Sequence, residues 1–139
     1  MGYNMEIIKK KFHYRGNTTG SLTFLEGERD IPFPIKRIYY IYDIMAGERR
    51  GFHAHRELMQ YLICISGSCK VLMDDGTKSE EIMLNDPNQG LYIGPKVWHE
   101  MFDFSENAVL LVLASDYYEE NDYIRDYNVF MALVGGKAE

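Results

Sequence analysis

Seven short runs of apolar and aromatic residues, each closed by a turn signal, constrain this chain more than any other feature. They fall at 21–25 (SLTFL), 36–43 (KRIYYIYD), 58–65 (LMQYLICI), 69–73 (CKVLM), 80–84 (EEIML), 90–93 (GLYI) and 108–115 (AVLLVLAS). Runs this short, rich in Val, Ile, Tyr and Phe, suit strands better than helices. Asp75-Gly76 separates two of them, and Gly accepts the positive φ of a tight hairpin turn. Pro32, Pro34, Pro87 and Pro95 lie between runs, where a missing N–H costs no ladder bond. With no repeat, linker or low-complexity tract, residues 1–139 read as one domain. The spacing predicts an all-β sandwich or barrel. The tail departs from it. Tyr123, Ile124, Tyr127, Phe130, Met131 and Val134 recur at helical spacing, predicting a short C-terminal helix from Asp122 with Asn121 as its N-cap.

Composition decides which partners are excluded. A hydrophobic fraction of 46% supplies one core, while 15 basic against 21 acidic residues leave a net charge of −6. Binding to nucleic acid or an anionic membrane surface needs the opposite balance. An anionic ligand must then be held by a few placed Arg or Lys side chains. No apolar run approaches the roughly 20 residues of a membrane span. The start, MGYNMEIIKKKF, has no secretory apolar region, so a cytoplasmic protein is expected. Cys64 and Cys69, read as parts of one strand, would point to opposite faces and form no disulfide.

Chemistry enters with the histidines. His53 and His55 are two apart in Arg50-Gly51-Phe52-His53-Ala54-His55, so in a strand they project from one face about 7 Å apart. His99 follows in Gly94-Pro95-Lys96-Val97-Trp98-His99, and Gln60 completes the spacing His-x-His-x4-Gln-x6-Gly ending at Gly67. Arg37 and Tyr39 share the other informative face, since alternation puts Lys36, Ile38 and Tyr40 opposite them. Trp98, the sole tryptophan, is assigned to the core.

The spacing His-x-His-x4-Gln-x6-Gly resembles the first cupin motif, in which Glu usually stands at the place of Gln60. Gly94-Pro95-Lys96-Val97-Trp98-His99 looks like a shortened second motif. The resemblance implies a double-stranded β-helix of jelly-roll type. In metal cupins three histidines and that Glu bind the ion; Gln60 removes the only anionic ligand, so no metal is expected. Nearly the whole chain, through IPFPIKRIYYIYD, RGFHAH, LNDPNQGLYIGPKVWHEMFDF and VLASDYYEENDYIRDY, resembles the sugar-nucleotide 3,4-ketoisomerases. The segment Tyr14–Thr19 is least like them. The resemblance implies dTDP-4-keto-6-deoxy-D-glucose as substrate, a 3-keto isomer as product, no cofactor and a homodimer with Met5 to Phe12 as an exchanged strand. It further implies that the product serves the making of 3-amino-3,6-dideoxy sugars for surface polysaccharides. His99 in WHEM resembles the branch whose product has the galacto configuration.

Moving a ketone from C4 to C3 requires a base for the C3 proton, stabilisation of an enediolate, and a proton for C4. Histidine suits the first and last tasks, because its ordinary pKa of about 6.5 lets it accept and return a proton near neutrality. By resemblance His53 is the shuttle, and His55 orients it, relays hydroxyl protons or binds the sugar. Tyr39 matches the active-site tyrosine, whose phenol can meet the oxygen that becomes anionic and can move protons between O3 and O4. Arg50 and Arg37 are expected on the diphosphate, for which the planar guanidinium fork is suited. Gln60 and His99 are expected to contact the substrate. Two other readings stand beside this one. The first is a metal-dependent cupin enzyme using His53, His55 and His99, with Gln60 as a further ligand. The second is a non-catalytic sugar-binding cupin.

Overall fold

The computed structural model describes residues 5–135. One antiparallel sheet has the order β1 (Lys9–Lys11), β9 (Gln89–Ile93), β6 (Gln60–Ser66), β11 (Val109–Ala114) and β4 (Arg37–Ile41). The second has the order β12 (Tyr123–Ile124), β5 (Arg50–His55), β10 (Trp98–Phe102), β7 (Cys69–Asp74) and β8 (Ser79–Leu84). Alternate side chains of both sheets build the main core, with Leu62, Leu91, Leu110 and Val112 from the first and Val71, Met73, Leu84 and Met101 from the second. This is the all-β roll that the spacing of apolar runs predicts.

The Asp75-Gly76 turn forms as read. Gly76 takes φ +98°, and the Asp75 carboxylate accepts the amides of Thr77 and Lys78 at 2.8 and 3.0 Å. Cys64 of β6 and Cys69, the first residue of β7, lie on consecutive strands of the two different sheets, joined at Gly67 (φ +70°), not in one strand. Both are buried free thiols that share a hydrogen bond, so they face each other instead of pointing apart as the one-strand reading expects.

One expectation is corrected, at the C-terminal end. The helix α1 covers Tyr127–Val134, and its N-cap is Asp126, whose side chain accepts from the amides of Asn128 and Val129. Glu120–Asp122 is a single tight turn, and Tyr123 and Ile124 are extended, paired with His55 and Ala54 of β5. Burial of Ile124 beside Ala54, Trp98 and Phe130 outweighs the helical spacing there. Trp98 belongs to this cluster, in the core as assigned. At the other end, Lys9–Lys11 pairs with Gln89–Leu91, which puts the stretch Met5 to Phe12 at an edge of the first sheet. The divergent segment Tyr14–Thr19 lies in an exposed hairpin of β2 (His13–Asn17) and β3 (Gly20–Phe24), closed by Asn17, whose side chain accepts the amide of Thr19.

Candidate active site

The site is assembled by β4, β5 and β10, with β12 closing one side. On β4 the alternation holds: Arg37, Tyr39 and Ile41 are half-buried, whereas Ile38 and Tyr40 are exposed. On β5, His53 and His55 share a face and Ala54 turns to the helix side. Pairing with β10 places His99 directly opposite His53. The ladder shifts next to that pair: Gly51 (φ +98°) pairs with Glu100, and Phe52 (φ +58°) is the extra residue before His53. A bulge thus aims His53.

Three imidazoles converge, with one ring nitrogen from each lying within 4.8 Å of the others. The rings of His53 and His99 are 4.6 Å apart and those of His53 and His55 5.0 Å apart. Each ring is held through Nδ1 by an oxygen: Gly51 O for His53 at 3.0 Å, Val97 O for His99 at 3.1 Å, and Asp122 Oδ2 for His55 at 3.0 Å. Those oxygens only accept, so every Nδ1 carries the hydrogen and every Nε2 is a lone pair. His55 Nε2 is buried with no partner.

Electrostatics keep the cluster neutral. Burial depresses the pKa of all three rings, and mutual repulsion adds to it for His55 and His99. His55 falls to about 3, first through burial and then through His53, Arg37 and Arg125. Its contact with Asp122 is therefore a hydrogen bond from a neutral ring, not an ion pair. Burial raises Tyr39, and a hydrogen bond from Gln60 partly offsets the rise. The phenol keeps its proton at neutral pH.

A cavity of about 470 Å³ opens onto this cluster, lined by Arg37, Tyr39, Arg50, His53, Tyr123 and Arg125 among others. Arg37 and Tyr123 also border a neighbouring cavity of about 320 Å³, which His55 and Asp122 line. Arg37 and Arg50 meet the need for placed cations on an acidic protein, whereas Arg125 is paired with the Glu120 carboxylate at 3.0 and 3.1 Å. Arg37 lies over the rings of Tyr39 and Tyr118 at 5.5 and 5.8 Å, and Arg125 over Tyr123 at 4.2 Å.

The structure brings His53, Tyr39, Arg37 and Arg50 to one cavity, as the sequence reading expects. Gln60 is 1% exposed, and its amide nitrogen donates to the Tyr39 hydroxyl at 2.8 Å, so here it backs Tyr39 from behind the cavity wall. His99 is likewise buried, packed on His53. Among the described residues the imidazole cluster includes no carboxylate ligand, and Gln60 Nε2 is committed to Tyr39. Sequence reading missed Asp122, Tyr123 and Arg125. Their signal in the sequence is the stretch NDYIRDY, whose helical spacing masks the role of these side chains.

Comparison with known proteins agrees with this geometry. Residues 3–135 match the family described as FdtA, WxcM-like, C-terminal. A TDP-4-oxo-6-deoxy-alpha-D-glucose-3,4-oxoisomerase of Aneurinibacillus thermoaerophilus is 56% identical over 118 residues, 85% of each chain. Among solved structures, an asparagine-for-histidine variant of the 3,4-ketoisomerase QdtA from Thermoanaerobacterium thermosaccharolyticum, in complex with TDP-4-keto-6-deoxyglucose, superposes with a TM-score of 0.90. It is 48% identical, covering 92% of this chain and 93% of that one. A 3,4-ketoisomerase from Helicobacter canadensis gives a TM-score of 0.91 at 50% identity, covering 95% and 99%.

Proposed function

The chain belongs to the FdtA family of WxcM-like proteins, and from that premise we propose that it is a 3,4-ketoisomerase acting on dTDP-4-keto-6-deoxyglucose. The observation that carries the reading is the meeting of a neutral imidazole, His53, and a protonated phenol, Tyr39, at a cavity lined by Arg37, Arg50 and Arg125. A base with a free Nε2 takes the C3 proton and returns it to C4, which are bonded neighbours. The phenol donates a hydrogen bond to the oxygen that becomes anionic, inside a site where burial strengthens that bond. The guanidinium groups of Arg50 and Arg37 hold the diphosphate. The metal-cupin and binding-module readings are not favoured: the first lacks an anionic ligand, and the second leaves these acid–base groups without a task.

The same reading assigns one cupin domain over residues 1–139, a homodimer, and a cytoplasmic location. Two buried free thiols suit a reducing compartment, and no helix among the described residues is long and apolar enough to cross a membrane. The product is assigned the galacto configuration, supported by His99 in the motif WHEM. Incubation with dTDP-4-keto-6-deoxyglucose, followed by proton NMR of the product, tests the whole reading. A 3-keto sugar with a small H4–H5 coupling is expected. Unchanged substrate overturns the activity, and a large trans-diaxial coupling overturns the configuration.

A further inference from the structure

The walls of the cavity of about 470 Å³ carry three guanidinium groups, those of Arg37, Arg50 and Arg125, and no carboxylate. The neighbouring cavity has the opposite character, with Glu57, Asp116, Glu119 and Asp122 around Arg37. Charge therefore directs an anionic ligand to the first. Among the described residues no carboxylate pairs with Arg37 or Arg50, and Arg37 Nε is buried with no partner. Arg125 differs. Its Nη2 donates to Glu120 Oε1 at 3.0 Å and its Nε to Glu120 Oε2 at 3.1 Å, the two-bond fork of a matched guanidinium and carboxylate. The Tyr118 hydroxyl donates to the same carboxylate, and Arg37 lies over the Tyr118 ring. Hydrogen bonds from Arg125 and then Tyr118 hold the Glu120 carboxyl down to about 2, so it is charged at neutral pH. The pair also stands close to the chemistry. Arg125 covers the ring of Tyr123, which packs against His53 and His55 at 5.0 and 4.5 Å.

We propose that Glu120 is a specificity-determining residue, which cancels Arg125 and so leaves the cavity two unpaired cations for the two negative charges of a diphosphate diester. This rests on the ketoisomerase reading and adds the property by which the site tells its substrate from free nucleotides. In a sugar nucleotide the sugar esterifies the terminal phosphate and removes one charge. Free dTDP carries about three charges at neutral pH and dTTP about four, because a terminal phosphate loses its second proton near pH 6. Those extra charges find no free cation at Arg125, and the Glu120 carboxylate repels them. The substrate has none to repel. Both side chains of the pair are more than half exposed, so their field is screened by salt, over about 10 Å at 0.1 M.

Titration calorimetry with dTDP and dTTP at low salt, beside KM for dTDP-4-keto-6-deoxyglucose, checks this. The wild type should bind dTTP no more tightly than dTDP, a measurement that needs no variant to fold. Glu120→Gln keeps the size of the side chain and releases the charge of Arg125. Its gain in affinity should grow with ligand charge, about threefold for dTDP and about tenfold for dTTP, with KM for the substrate changed least. These gains should shrink as salt is added. Glu120→Gln combined with Arg125→Gln removes one charge of each sign, so the double variant should return to the wild-type order of ligands. A wild type that prefers dTTP, equal gains for all three ligands, or a double variant that behaves like Glu120→Gln overturns the proposal. A wild type that forms no 3-keto sugar overturns the ketoisomerase reading, whereas the two nucleotides report on Glu120 without turnover. A wild type that binds neither nucleotide overturns both.

Discussion

Gln60 donates its amide hydrogen to the hydroxyl oxygen of Tyr39 across 2.8 Å, with Gln60 itself sealed from solvent. The contact decides which way the phenol works. With its oxygen accepting from Gln60, the Tyr39 hydrogen is left to donate into the cavity, and burial holds it on the oxygen. A glutamate at 60, the usual cupin residue, would accept that hydrogen and withdraw the donor.

Gln60→Glu is expected to lower kcat by about 10²-fold, the scale of a lost acid–base or oxyanion donor. It should also supply the anionic oxygen that the imidazole cluster lacks, and metal retention is measured with it. The wild type should keep full turnover after exhaustive chelation. Kinetics and metal analysis before and after EDTA check both. A wild type silenced by EDTA and restored by one divalent ion would favour the metal-cupin reading.

His53→Asn removes the shuttle with little change of size and should lose close to 10⁴-fold in kcat, since one ring serves both carbon steps. Tyr39→Phe should be milder. Binding should survive in both, because the guanidinium groups remain. The check is the ranking at saturating substrate. If His53→Asn keeps more than about a tenth of wild-type turnover while Tyr39→Phe is dead, the base is misassigned.

Folding stability should fall in mild acid. In the unfolded chain each histidine takes a proton as pH drops through about 6.5. Folded His55 does not do so until about pH 3, and His99 also titrates well below its ordinary value. Their contribution is complete above pH 6.5 and shrinks below it, by about 1.4 kcal/mol per pH unit for each ring still neutral. From pH 7.5 to 5.5, His55 and His99 together should cost about 3 kcal/mol. Urea unfolding at the two values measures it, and an unchanged midpoint would contradict the neutral cluster.

Gly51→Ala should damage fold and catalysis together. Gly51 sits at φ +98°, where an added Cβ would lie 2.8 Å from the backbone oxygen of His99. Neither the dihedral nor the carbonyl yields cheaply, so a loss of about 1–3 kcal/mol is expected in thermal or urea unfolding. Because Gly51 O also holds His53 Nδ1, kcat should fall as well.

The protein should run as a dimer in light scattering. The outer face of β4 and its extension leaves Ile38, Tyr40 and Tyr42 each more than half exposed, an apolar stripe of the kind that marks an interface. Ile38→Lys places a charge in that stripe and should shift the equilibrium toward monomer. A wild-type monomer at micromolar concentration would contradict the assignment.

How much of the site was legible depends on which interactions are local. Side-chain alternation has a period of two within a single strand, so the shared face of His53 and His55, and that of Arg37 and Tyr39, follow from the sequence alone. The apolar runs of β4, β6, β7, β8, β9 and β11 were legible for the same reason, as was the Asp75-Gly76 turn. The strands RGFHAH and WHEMF, which carry the three imidazoles, have little apolar alternation and appeared among the motifs instead of the predicted strands. Their residues serve the site, which weakens the pattern that marks a strand. Only the tertiary structure decided that His99 lies opposite His53, that Gln60 turns to Tyr39, and that Asp122 reaches His55 from a segment with helical spacing. Those contacts depend on strand register and on burial of Ile124 against Ala54, Trp98 and Phe130, long-range terms that no local period encodes.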